Sequence, residues 1–359
     1  MGLEIKNSRG MTLVEVLISM VISLVVTLAA YQTFAASEGY RRAATGGGDA
    51  TFSGSIGMYT LQRDLRMAGY GINTASVLGC RVLGYDEGVS PAREFDFILA
   101  PVVITQGAAG APDTLEISYS NTDAVPAPVR LTQALPTPAS VYHVDNGFGI
   151  VAGQLLIVAE PGRDCTLQQA TNTPSLGSPG QQDRLHHGSG MYTGPFGTQV
   201  AARYNKPGGL GPNYSLAAII HPIGQMPAVS RYYIQNENLV VDLLLQGNIA
   251  LPVAAGVVQL QAQYGKDTNN DGVIDVWDEV TPASPNAWSG VIAVRLGLVA
   301  RSAVAERADL ATGTCNTTTV TPTWAGGAFD LSARADWRCF RYRVFESTIS
   351  LRNMIWRPV

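Results

Sequence analysis

The chain has 359 residues, is 46% apolar, and carries 24 basic and 28 acidic side chains for a formal net charge of −4. That length can bury a sizeable core in one or two domains, and the charge balance excludes the global basic footprint of a nucleic-acid binder. With only 14% charged residues, 38 glycines and 20 prolines, the composition fits a β-rich extracytoplasmic protein better than a cytosolic enzyme.

The sequence opens MGLEIKNSRG-MTLVEVLISMVISLVV, and from Val16 to Ser37 it holds 22 residues without a charge. As a helix rising about 1.5 Å per residue, that run is roughly 33 Å long, enough to cross a hydrocarbon core. Glu15 stands at its start, where an acidic side chain costs about 2.5–3.5 kcal/mol on insertion scales. A cleavable secretory signal has a shorter, uncharged apolar region. A plain signal anchor leaves Glu15 unexplained, and Lys6 and Arg9 before the run are matched by Arg41 and Arg42 after it. A cut between Gly10 and Met11 explains the glutamate. The new α-amine would lie four residues away and could neutralise the carboxylate, in its own chain or a neighbouring one.

The stretch Gly10-Met11-Thr12-Leu13-Val14-Glu15 resembles the class III signal of type IV pilins and type II secretion pseudopilins. A short charged leader ends in glycine, an apolar residue follows, and glutamate is fifth in the mature chain. The resemblance implies cleavage after Gly10 by a membrane-embedded prepilin peptidase, N-methylation of Met11, and a role for Glu15 in aligning a new subunit with its neighbour. Met11 departs from the phenylalanine usual at that place. Glu15, Ser19, Ser23 and Thr27 recur every four residues and form one polar stripe. The three hydroxyls admit two readings, an assembly stripe or bonding back to their own helix's carbonyls.

Beyond Tyr40, the residues Met58, Leu61, Leu65 and Ala68 keep helical spacing, with Arg63, Asp64 and Arg66 assigned to the other face. Gly69 is a plausible C-cap. The triple glycine Gly46–Gly48 costs about 1 kcal/mol per residue in a helix and marks a soft point. One helix is expected over 11–68, its membrane or fibre part at about 11–37, after a leader at 1–10 and before a head at 69–359. The segment Leu61-Gln62-Arg63-Asp64-Leu65-Arg66-Met67-Ala68-Gly69-Tyr70 resembles the PilW family of minor pilins, and more distantly the J-type minor pseudopilins. The likeness returns in Ile349-Ser350-Leu351-Arg352-Asn353.

Between these ends, Thr114–Ser120, Gln154–Glu160, Ser230–Gln235, Asn238–Leu244, Val257–Tyr264, Ile292–Ala300 and Arg341–Leu351 carry strand composition. Gln235–Asn238 reads as a hairpin turn, and Pro174–Gly211 as a long surface loop. The predicted class is α+β, a long N-terminal helix packed on a β-rich head. Four cysteines with no CxxC pair read as two disulfides, for which three connectivities exist. The 24-residue separation of Cys315 and Cys339 around a Gly/Thr-rich loop favours pairing those two, which leaves Cys80 with Cys165.

The best motif for chemistry runs from Asp267 to Glu279. Asp267, Asn269, Asp271 and Asp275 fall at positions 1, 3, 5 and 9 of an EF-hand-type loop, with Gly272 at 6, the Val273 carbonyl at 7 and Asp278 at 12. All are oxygen donors suited to calcium, although position 12 is Asp and the flanks read as strand. The alternative is a solvated Asn-Asp-Gly turn. His186-His187, His143 and His221 give a weak metal signal, and no hydrolase or nucleotide-binding motif occurs. The interleaved Arg and aromatic residues of Arg338–Arg343 suit a one-faced strand better than single-stranded nucleic acid.

The sequence therefore predicts a minor pilin that primes a type IV pilus near its tip and is not an enzyme. Its expected partners are the major pilin, other minor pilins, prepilin peptidase, the inner-membrane assembly platform and, before assembly, the inner membrane itself. The alternatives are a minor pseudopilin of a type II secretion system, told apart by genomic neighbourhood, and a calcium-dependent adhesin or DNA-uptake component, told apart by a binding assay.

Overall fold

A computed structural model describes residues 11–122, 127–139, 141–174, 183–194, 196–309 and 311–355. The expected leader, with Gly10, lies outside the described residues. The chain is α+β. A single helix, α1, runs from Leu13 to Met67, and its side chains from Met11 to Arg41 are all exposed. It is the one helix among the described residues long and apolar enough to cross a membrane.

The upper half of α1 packs on the head. Ala50, Met58, Leu61, Leu65 and Ala68 are buried, a face that repeats every three to four residues. Gly54 and Gly57 belong to the same face. A Cβ on Gly54 would lie 2.0 Å from Phe345, and one on Gly57 would lie 3.2 Å from Leu239. The triple glycine does not break the helix. Gly46 lies against Ser302, where a Cβ would come within 3.0 Å, whereas Gly47 and Gly48 face open space. Tertiary packing just above this point outweighs the propensity cost. The helix stops where Gly69 takes φ +80°, the left-handed C′ position that glycine adopts without Cβ strain.

Two sheets and α1 share the main core. The sheet against the helix has the antiparallel order Val276–Asp278, Val257–Lys266, Val291–Arg301, Tyr342–Ser350. The second has the antiparallel order Ile249–Ala255, Asn238–Leu243, Ala228–Gln235, Thr114–Tyr119, Val102–Thr105. Its hairpin turns at Asn236 and Glu237, with φ of 48° and 62°, the paired positive values that a two-residue turn demands. A third sheet of six strands is centred on Leu155–Ala159 and Cys165–Gln169. Successive residues point to opposite faces, so Ile157 and Leu167 enter one core and Leu156 and Val158 another. Both strands are consequently buried along their whole length.

The seven strands expected from sequence each have a counterpart. The strands Arg81–Asp86, Arg93–Ile98, Val102–Thr105, Cys165–Gln169, Ile219–Gly224 and Ile249–Ala255 were not anticipated. The segment read as one long loop contains the short strands Arg184–Leu185, Met191–Thr193 and Gln199–Ala201, while its residues 175–182 and 195 lie outside the described residues. Disulfides join Cys80 to Cys165 and Cys315 to Cys339. The first ties the entry to the parallel strand pair of the third sheet, and the second closes the loop that leads into Tyr342–Ser350.

Candidate functional site

The first turn of α1 is a capping box. Thr12 is the N-cap, and its hydroxyl accepts from the Glu15 backbone N–H at 3.3 Å. The Glu15 carboxylate accepts in return from the Thr12 backbone N–H at 2.9 Å and from the Thr12 hydroxyl at 3.1 Å. In the uncut chain, then, the glutamate has a local partner. Sequence reasoning missed Thr12, although Thr-x-x-Glu ahead of an apolar run is the signature of this motif. The Met11 nitrogen here is a peptide nitrogen. Once cleaved it would become an ammonium two bonds from the Met11 carbonyl and one residue from the cap, within reach of the same carboxylate.

The remaining hydroxyls of the stripe are spent inside the helix. Ser19 donates to the Val16 carbonyl at 2.9 Å, Ser23 to Ser19 at 2.7 Å and Thr27 to Ser23 at 2.6 Å. The three hydroxyls have spent their donors, and of the four stripe residues Glu15 is the one that offers a cationic neighbour a negative charge.

At the other end, α1 is fixed to the head by polar contacts. Asp64, assigned from sequence to the outer face, is only 3% exposed. It stands three residues after Leu61 and one before Leu65, so it flanks the apolar stripe rather than opposing it. The Tyr232 hydroxyl donates to it at 2.6 Å, and Arg63 clamps its other oxygen at 2.9 Å and 2.8 Å. Burial, with the Asp64 charge beside it, pushes the Tyr232 phenol far up, so it stays a neutral donor. The orphan carbonyls at the helix end are satisfied from the C-terminus. Asn353 donates to Met67 and Ala68, both at 3.1 Å, and its own carbonyl accepts from Asn73 at 2.7 Å.

The acidic motif forms the turn between Val257–Lys266 and Val276–Asp278. Asp267 accepts from the backbone N–H groups of Asn270 at 2.6 Å and Gly272 at 2.8 Å. Asp271 accepts from Val273 N–H at 2.8 Å, and Asp275 from Thr268 N–H at 2.8 Å. The Asn269 amide nitrogen lies between the Asp271 and Asp275 carboxylates, at 3.1 and 3.4 Å. Asp278 sits apart on its strand and pairs with Lys266 at 2.5 Å. Among the described residues no three His, Cys, Asp or Glu side chains form a metal-binding group. The histidines are dispersed: His143 pairs with Asp183, His187 stacks on Tyr142, and His221 is buried in Ile219–Gly224, where burial lowers its pKa to about 4.

Comparison with known proteins gives two matches. Residues 5–31 match the prokaryotic N-terminal methylation motif, and residues 231–353 match the family described as Type IV Pilus-assembly protein W. No curated protein and no solved structure matches. The first match covers the capping box and the exposed apolar helix. The second covers the hairpin at Asn236–Glu237, the sheet under α1, the acidic loop and the helix-capping Asn353. The chain thus carries a methylation motif at the helix start and, over residues 231–353, a region similar to the PilW family that receives the helix's other end, a combination consistent with a type IV minor pilin.

Proposed function

We propose that this protein is a minor pilin that primes assembly of a type IV pilus and is carried near the tip. Prepilin peptidase cuts after Gly10 and the Met11 amine is methylated. The mature chain waits in the inner membrane through residues 11–37, with its head in the periplasm. On assembly, Glu15 leaves its Thr12 cap and accepts the terminal ammonium of a neighbouring pilin, while the apolar helix exchanges lipid for other pilin helices. The supporting observation is the combination of a fully exposed apolar half-helix with one carboxylate at its tip and a half-helix anchored in the head. The chain is thus the substrate of an enzyme, with other pilins and the assembly platform as partners. The test is complementation of a deletion strain. Glu15→Ala is expected to be cleaved normally yet to restore neither surface pili nor co-purification with other minor pilins. Normal piliation in that variant would overturn the assembly role. If pili are unaffected by the deletion and secretion fails instead, the pseudopilin reading takes its place.

We further propose that the 267–278 loop binds calcium weakly. Support comes from the Asp271 and Asp275 carboxylates, which flank the Asn269 amide at 3.1 and 3.4 Å, and from Asp267 on the backbone N–H groups of Asn270 and Gly272 in the same turn. Rotation of that amide would present its oxygen in place of its nitrogen.

A further inference from the structure

Gly46, Gly47 and Gly48 sit inside a continuous helix at the point where its tertiary support changes. The side chains from Met11 to Arg41 are all exposed, and Ala50 is the first buried residue of α1 among the described ones. Glycine is the poorest helix former after proline. At Gly46 packing explains it, because a Cβ there would lie 3.0 Å from the Ser302 side chain. At Gly47 and Gly48 packing does not, because a Cβ on either would meet no atom within 4 Å. What these two glycines give the helix is backbone freedom.

Three further features make this weak point a hinge. The Thr51 hydroxyl donates to the Gly47 carbonyl at 2.8 Å, the back-bond that bends helices. It keeps that carbonyl satisfied when the ladder bond beside it lengthens. On the head side the hinge has a fixed seat at Ser302. Ser302 N–H bonds the Arg341 carbonyl at 2.8 Å, Arg341 donates to Glu306 at 2.8 Å, and Glu306 N–H bonds the carbonyl of disulfide-bonded Cys339 at 2.7 Å. Beside the seat there is room to move. A cavity of about 460 Å³ separates Glu38, Arg41 and Thr45 of the helix from the 303–306 loop. The depth is also favourable. The glycines follow Ser37 by nine to eleven residues, roughly 14–16 Å along the axis, beyond a headgroup layer roughly 5–7 Å deep. There water satisfies an opened N–H or C=O, whereas in hydrocarbon the same opening would leave it unpaired.

We propose that Gly46–Gly48 form a hinge about which the apolar half of α1 reorients against the head, and that pilus assembly requires it. The apolar half follows the bilayer before assembly and the packing of neighbouring helices afterwards, while the upper half stays fixed in the head. The part played in assembly rests on the minor-pilin reading above, whereas the hinge itself does not.

Double electron–electron resonance on the full chain in lipid nanodiscs reads the hinge, with spin labels at Leu24→Cys and Val344→Cys. Both positions are exposed, and the four native cysteines stay paired. Leu24 lies 23 residues below Gly47, about 35 Å along the axis, so a modest bend moves its label by several ångströms. The labelled chain is expected to give a broad distance distribution. Adding Gly47→Ala and Gly48→Ala, whose new Cβ atoms touch nothing, should narrow it at least twofold. Equal widths would overturn the hinge. Complementation of a deletion strain reads its use. The unlabelled Gly47→Ala/Gly48→Ala chain is expected to be cleaved and inserted normally yet to give several-fold fewer surface pili than the unsubstituted chain. Full piliation by that variant would overturn the requirement and leave the minor-pilin reading standing. Normal piliation in the deletion strain itself overturns that reading, and the hinge's part in assembly with it.

Discussion

Gly54 and Phe345 are in contact across the helix–sheet interface so closely that a single added carbon on Gly54 would fall 2.0 Å from the ring. Sequence propensity argues the other way, since Gly→Ala in a helix interior gains about 1 kcal/mol. The contact decides the sign. Gly54→Ala is expected to destabilise the protein by about 1–3 kcal/mol, the usual cost of overpacking. Phe345→Ala in the same chain should recover part of that loss, because residues in contact couple by roughly 0.5–3 kcal/mol. Chemical denaturation of the two single variants and the double variant measures the coupling. Stabilisation by Gly54→Ala, or strict additivity, would contradict the packing described.

Much of the helix was legible because its signals are local: a charge-free run, a four-residue stripe, a left-handed glycine at its end. The seven anticipated strands were those rich in β-branched or aromatic residues. Cys165–Gln169, spelled CTLQQ, lacks that composition and is a strand because it is paired on both sides and buried on both faces. Asp64 was misassigned for a related reason. Its polarity suggests solvent, and nothing near it in sequence announces Tyr232, which arrives from 168 residues away. Thr12 is legible in principle, since Thr-x-x-Glu ahead of an apolar run is a local capping signal. Asn353 was recognised only as part of a familiar stretch. Its function as the cap of Met67 and Ala68 depends on the last strand returning beside the helix.

Asp113 gives the head a defined pH response. Its two oxygens accept from Gly107 N–H at 3.0 Å and Ala262 N–H at 2.9 Å. Burial nevertheless raises its pKa from 3.8 to about 6, with the Glu279 charge a smaller contribution. Between about pH 4 and 6 the folded state therefore holds a proton that the unfolded state has lost, so this group's contribution to stability falls as pH rises through that window and is constant above it. Denaturation midpoints at pH 4.5, 5.5 and 7 are read as the difference between the parent and Asp113→Asn, values chosen to bracket the pKa of about 6. The parent should lose stability relative to the variant as pH rises. A difference that stays constant, or has the opposite slope, would contradict the assignment.

Calcium at the 267–278 loop makes a thermal prediction. At a hundredfold excess over Kd, binding to the folded state alone adds about 2.7 kcal/mol, and extracellular modules often bind at roughly 10⁻⁴–10⁻³ M. Millimolar calcium should therefore raise the melting temperature against a chelator control, and Asp271→Ala should abolish the rise. Coincident melting curves for the unsubstituted protein would leave the loop an acidic turn, held by its own backbone N–H groups and by the Lys266–Asp278 pair.

Only cleavage between Gly10 and Met11 gives the helix a terminal amine for Glu15 to use. Intact-mass and peptide mass spectrometry of protein isolated from cells reads this directly. The expected mature chain begins at N-methyl-Met11 and retains both disulfides, and Gly10→Val accumulates precursor. A chain that begins at Met1, or one cut in the alanine-rich stretch near Ala36, would contradict it.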